Sequence, residues 1–125
     1  MFSPPAAYRA TIERLLSLEP RLLLAGHEPP YRDAAVLEFL LNSREAVEWL
    51  SALVYEALEV RWVSFGEVCD RVAKAYSGLE AVPRFSFAMT VDGFAMTVDG
   101  LLAELVESGS ADLDAGSPRR FRKRA

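Results

Sequence analysis

Phe87 to Gly100 reads FAMTVDGFAMTVDG, one seven-residue unit written twice without a change. Two conformations compete for it. As strands, Phe-Ala-Met-Thr-Val alternates, and Asp92-Gly93 is a good two-residue hairpin turn. As a helix, Phe87, Val91, Phe94, Val98, Leu101, Leu102 and Leu105 fall on one face, and the stripe runs on into LLAELVESG, ending at Gly109. A heptad inserted into a helix rotates the downstream turns by only about 20°. An odd insertion into a strand exchanges its two faces. One lengthened helix is therefore expected, although its two internal glycines cost about 1 kcal/mol each. Two copies are too few for a solenoid, so the duplication reads as a tolerated insertion.

That helix sets the order of its neighbours. Downstream, SADLDAGSPRRFRKR (Ser110 to Arg124) reads as strand, turn and strand, with Ala115-Gly116-Ser117-Pro118 as the turn. Upstream, Ser64 and Glu67 have the spacing of a capping box. The helix they open carries Val68, Cys69, Val72, Ala73 and Tyr76 inward, and Gly78 is placed to close it. Before it, Val36, Leu37, Leu40, Leu41, Val47, Leu50, Val54 and Leu58 form a broad apolar stripe on one long helix starting near Asp33. Three helices and a short β-hairpin are the order of a winged helix, expected over residues 33–118, with 119–125 as a basic tail. The fold class is thus mainly α with a small β-hairpin.

Residues 1–32 read differently. Ser3-Pro4-Pro5 caps a helix carrying Tyr8, Ile12, Leu15 and Leu16 at helical spacing, and Pro20 ends it. The run RLLLAG (Arg21 to Gly26) is expected as a short strand buried on both faces. Gly26-His27-Glu28-Pro29-Pro30 is a loop, because proline fits neither a helix interior nor a central strand.

The chain has 125 residues, 51% of them hydrophobic and 26% charged, enough for one core and too short for two ordinary domains. No apolar run approaches the roughly 18–20 residues that span a bilayer, and MFSPPAAYRA lacks the pattern of a signal peptide. The single cysteine, Cys69, excludes an internal disulfide, so a reducing cytoplasm is the expected compartment. Net charge is −4, yet Arg119, Arg120, Arg122, Lys123 and Arg124 hold five of the fourteen basic residues, leaving nine against eighteen acidic ones. An acidic body with a basic end fits an interaction arm better than a broad nucleic-acid surface.

The succession of helix, LLLAGHEPP, long helix and winged-helix pattern resembles the C-terminal part of metallo-β-lactamase-fold hydrolases. It is most similar to the subgroup that carries a winged-helix-like domain after the catalytic one. In that family a helix of the type at Tyr8 to Leu18 precedes the last strand, and a Pro-Gly-His-Gly loop follows whose histidine is the final zinc ligand. The loop here reads Ala25-Gly26-His27-Glu28: the Gly-His core is kept and both flanks differ. The resemblance implies that residues 1–32 are a helix–strand–loop remnant of an αββα domain and that His27 is a zinc ligand in the context of a complete domain. It also implies attack by metal-bound hydroxide on an ester, thioester, amide or phosphodiester.

His27 is the only histidine, whereas the family's remaining ligands come from a His-x-His-x-Asp-His motif and further residues upstream of the matching region. A catalytic zinc needs about three protein ligands and an open position. The expectation is a C-terminal fragment of a zinc-dependent hydrolase, not catalytic alone, whose partner is a missing N-terminal metal-binding portion, another protein or a second copy. The alternative is a winged-helix interaction module that binds a protein, or RNA or DNA through Arg119, Arg120, Arg122, Lys123 and Arg124 with Phe121 stacking on a base. Cys69 reads as a core thiol, Met89 and Met96 as adaptable side chains beside the core.

Overall fold

The backbone is organised around one 24-residue helix. The computed structural model describes residues 5–24, 29–77 and 91–125, and its first helix, α1, spans Pro5–Leu18. Two short strands follow, β1 (Leu22–Leu23) and β2 (Tyr31–Arg32), and then the long helix α2, Ala34–Ala57. Strand β3 (Val63–Ser64) leads into α3 (Phe65–Ser77); α4 is Val91–Glu107, and β4 (Ala111–Asp114) and β5 (Arg120–Lys123) complete the described elements. The molecule is mainly helical with small antiparallel sheets.

Helix α2 passes through Asn42-Ser43 without a break and buries Val36, Leu40, Ser43, Val47, Leu50 and Val54, a row at helical spacing. The apolar pattern places Leu37 and Leu41 in that row as well, but they are 54% and 39% exposed. Each lies one residue, about 100°, round from a buried one. The neighbours α1, α3 and α4 cover a narrower arc of α2 than the apolar pattern offers.

Ser64 behaves as the capping residue its spacing predicts: its Oγ accepts the Glu67 amide at 3.2 Å. Glu67 does not reach back; its carboxylate meets Arg71 at 2.5 Å and Arg61 at 3.3 Å. Arg71 also donates to the carbonyl of Ala57 at 3.0 Å, satisfying an orphan acceptor at the end of α2. Val68, Val72 and Tyr76 face the core as expected, whereas Ala73 is exposed. Gly78, the expected cap of α3, lies outside the described residues.

Helix α4 runs through Asp92-Gly93 and through the whole second copy of the repeated unit, so these residues form no hairpin turn; Phe87 lies outside the described residues. Its end is a Schellman closure: Gly109 takes φ 84°, its amide reaches Val106 O at 3.1 Å, and the Ser110 amide reaches Leu105 O at 2.8 Å. The hairpin after it joins β3 in a three-stranded sheet of order β3-β5-β4. The segment 119–125, expected as a basic tail, therefore supplies the central strand of that sheet. The core lies between this sheet and the helices, with Leu50, Val54, Val68, Val72, Val98, Leu102 and Phe121 nearly inaccessible.

Helix α1 is held to this unit at three points. Ile12 is 4% exposed, Arg9 reaches Glu48 of α2 at 3.0 Å and Glu104 of α4 at 2.5 Å, and the Pro5 ring rests on Gly100. A Cβ added at Gly100 would overlap Pro5 Cδ, so only glycine permits that approach. The strand after α1 departs from expectation. Leu22 and Leu24 are 49% and 72% exposed, because β1 pairs only with β2 (Leu22↔Arg32, Leu23↔Tyr31) among the described residues. Tyr31 in turn stacks on Phe39 of α2, 4.4 Å between ring centres, which covers one side of the hairpin and leaves the other open.

Candidate functional site

Three places carry chemistry-bearing residues. The first is the loop of His27. His27 and Glu28 lie outside the described residues, and the frame around them is the β1–β2 hairpin, tied to its base by the Asp33 amide donating to Arg21 O at 2.9 Å. The donor set does not fit a catalytic zinc ion. The chain has one histidine and one cysteine. Among the described residues no three His, Cys, Asp or Glu side chains come together as a metal group. A zinc site with one imidazole needs ligands from elsewhere.

The second place is the basic end of the chain: Arg120, Arg122 and Arg124 alternate onto the outer face of the three-stranded sheet, while Arg119 and Lys123 lie on the side of Phe121, over Phe65 and Tyr55. Strand register sets Arg122 opposite Asp112 and Arg120 opposite Asp114. Arg122 Nε is 3.2 Å from Asp112, Arg124 Nε is 2.8 Å from the same carboxylate, and Arg120 pairs with Asp114. Arg119 reaches Asp99 of α4 at 2.8 Å. The guanidinium of Arg122 lies 4.4 Å from the Trp62 ring centre, that of Arg119 4.8 Å from Phe65, and Lys123 Nζ 4.7 Å from Tyr55.

The electrostatics follow from this ladder. Hydrogen bonds from Arg124 and then Arg122 hold the Asp112 carboxyl below the ordinary aspartate range. Arg120, helped by the Gly116 amide, does the same for Asp114. Four arginines thus share three carboxylates, with Arg119, Arg120, Arg122 and Arg124 still 41% to 53% exposed, and Lys123 lies over Tyr55. Phe121 does not stack on a base: it is 2% exposed and belongs to the core, pointing away from the arginines on either side of it in the strand.

The third place is not legible in the sequence. A cavity of about 560 Å³ lies between the end of α1 and the start of α2. Leu16, Val36 and Leu37 are among its apolar walls, and Glu19, Arg21 and Asp33 also line it. Glu19 and Asp33 both take positive φ, 49° and 53°, and Asp33 starts α2 without a side-chain cap bond. Pro20 signals the end of α1, but nothing in the sequence states that the end of α1 and the start of α2 meet there across the hairpin.

The remaining candidates have structural surroundings. Cys69 is partly buried, and burial, with Asp70 and Asp99 nearby, pushes its thiol pKa up, away from the reactive thiolate. Met96 points outward at 53% exposure, not beside the core; Met89 lies outside the described residues. Among the described residues no helix is long and apolar enough to cross a membrane.

Comparison with protein-family models gives no match, and comparison with curated proteins gives none either.

Proposed function

We propose that the chain is a winged-helix-like interaction module joined to the closing helix, strand and histidine loop of a metallo-β-lactamase-fold hydrolase, and that it does no chemistry alone. The order α2-β3-α3-α4-β4-β5 with sheet order β3-β5-β4 supports the winged-helix part. The observation that carries the reading is the hairpin. Among the described residues β1 pairs with β2 alone, and it turns Leu22 and Leu24 to solvent at the root of the His27 loop. Exposed leucines on a two-stranded ribbon are an unfinished surface. In this reading a metal-binding portion covers them and supplies the ligands that His27 lacks.

Contact with RNA or DNA through Arg119, Arg120, Arg122, Lys123 and Arg124 is the second reading, supported by the partial exposure of the four arginines. It is the weaker one. Asp112 and Asp114 compete with phosphate for those cations, and Ala103 and the acidic Glu107 are exposed on α4, the helix before the wing.

Zinc titration by calorimetry, with parallel ester and phosphodiester hydrolysis assays, tests the main reading. The chain alone is expected to bind Zn²⁺ no more tightly than H27A does and to hydrolyse neither substrate. One equivalent of tightly held zinc, lost in H27A together with hydrolysis, would overturn it.

A further inference from the structure

Trp62, which neither reading uses, stands among the arginines of the sheet. Val63 beside it is 1% exposed, so alternation turns Trp62 to the outer face. The Arg122 guanidinium lies 4.4 Å from its ring centre and that of Arg120 5.8 Å, and the ring stays partly exposed. Three arginines, Arg120, Arg122 and Arg124, meet two aspartates there, so the outer face keeps one positive charge in surplus. The aspartates do not saturate those cations. Arg122 and Arg124 each donate to Asp112 through Nε alone among the described residues, which leaves their Nη groups for another acceptor. Guanidinium groups of this kind are suited to phosphate oxygens.

The form of the ligand follows from the neighbouring helix. A duplex reader of this topology inserts a polar or basic helix into the major groove. Helix α4 instead exposes Ala103 and Glu107, and its Glu104 is already taken by Arg9. A sheet face with an aromatic ring and alternating guanidiniums suits a single strand, whose phosphates meet the arginines and whose unpaired base stacks on a ring or guanidinium plane. An acidic peptide would use the charges and leave the ring idle. We propose that the outer face of the β3-β5-β4 sheet is a platform for single-stranded nucleic acid, with Arg120, Arg122 and Arg124 on phosphates and a base stacked on the Trp62–Arg122 pair. The platform presupposes the nucleic-acid contact of the second reading and gives it a strand form and a stacking residue.

Fluorescence anisotropy of labelled oligouridylate, oligothymidylate and a DNA duplex, titrated with the full chain over a range of salt, tests it. A single strand is expected to bind more tightly than the duplex, and the better of the two assigns the ligand to RNA or to DNA. W62A is expected to weaken that binding about tenfold or more, and W62F to restore most of it. Three phosphate contacts predict a log–log salt slope of about −2, which R124Q flattens. D112N/D114N removes the competitors of phosphate and is expected to bind several-fold more tightly. Duplex binding as tight as single-strand binding, or an affinity indifferent to W62A, would overturn the platform and leave the second reading standing. Should W62A not fold, a slope unchanged in R124Q with no gain in D112N/D114N would overturn it equally. Binding of neither form would overturn both.

Discussion

Gly100 shows how one residue in a repeated unit acquires a job. It closes the second copy of FAMTVDG, and the Pro5 ring occupies the space where its side chain would be. Alanine there gains helix propensity of about 1 kcal/mol, but overpacking costs about 1–3 kcal/mol, so G100A is expected to be net destabilising. Gly66 is the control, because a Cβ there meets nothing within 4 Å. In thermal unfolding, G66A is expected to raise the midpoint and G100A to lower it; the reverse order would place α1 elsewhere. The arginine ladder is also a residue-scale matter. Asp112 and Asp114 titrate below the ordinary aspartate range in the folded chain. As pH falls the unfolded chain therefore takes up protons first, and protonation favours unfolding. Stability from these pairs is fully present above about pH 4, the unfolded aspartate value, and is lost as pH drops through the depressed folded values. D112N/D114N is expected to unfold at a lower temperature than the unaltered chain at pH 7 and to converge with it in acid. Parallel curves at all pH values would mean that the ladder contributes nothing.

At the scale of elements, the sequence states periodicity and caps well, and partners poorly. The second copy of the repeat places Thr97 and Val98 in the core, gives Asp99 to Arg119 and Gly100 to Pro5. One copy therefore suffices for those contacts. Removing seven residues turns the helix by only about 20°, so deleting one FAMTVDG is expected to leave a cooperative unfolding transition with its midpoint little changed. Deleting five residues would turn it by about 140°, from 3.6 residues per turn, and is expected to abolish that transition. Equal damage from both deletions would contradict a helix that simply absorbed a heptad. The Ser64 cap, the Gly109 closure and the turn at residues 115–118 are likewise readable, because each depends on local backbone chemistry. The β1 run reads as buried on both faces and is not. An apolar run announces that something should cover it, but not whether the cover belongs to this chain. The basic end is half legible: its strand can be read, but its neutralisation by Asp112 and Asp114 depends on cross-strand register that no spacing rule gives.

For the whole molecule, the described elements make one helical unit into which α1 is locked by Arg9, Ile12 and Pro5. The β1–β2 hairpin follows α1 directly and is tied at its base by the Asp33 amide donating to Arg21 O. The cavity at Arg21 is invisible in the sequence, since its walls come from the end of one helix and the start of another across the hairpin. The proposed function rests on the resemblance around Gly26-His27 and on leucines left outside. Mass spectrometry of the native gene product from its own cells tests that reading most directly. Peptides of this chain are expected in a larger product that also carries a His-x-His-x-Asp-His segment and holds zinc that H27A diminishes. A native product of 13.9 kDa, free of such a segment and of any associated metal-binding chain, would contradict it.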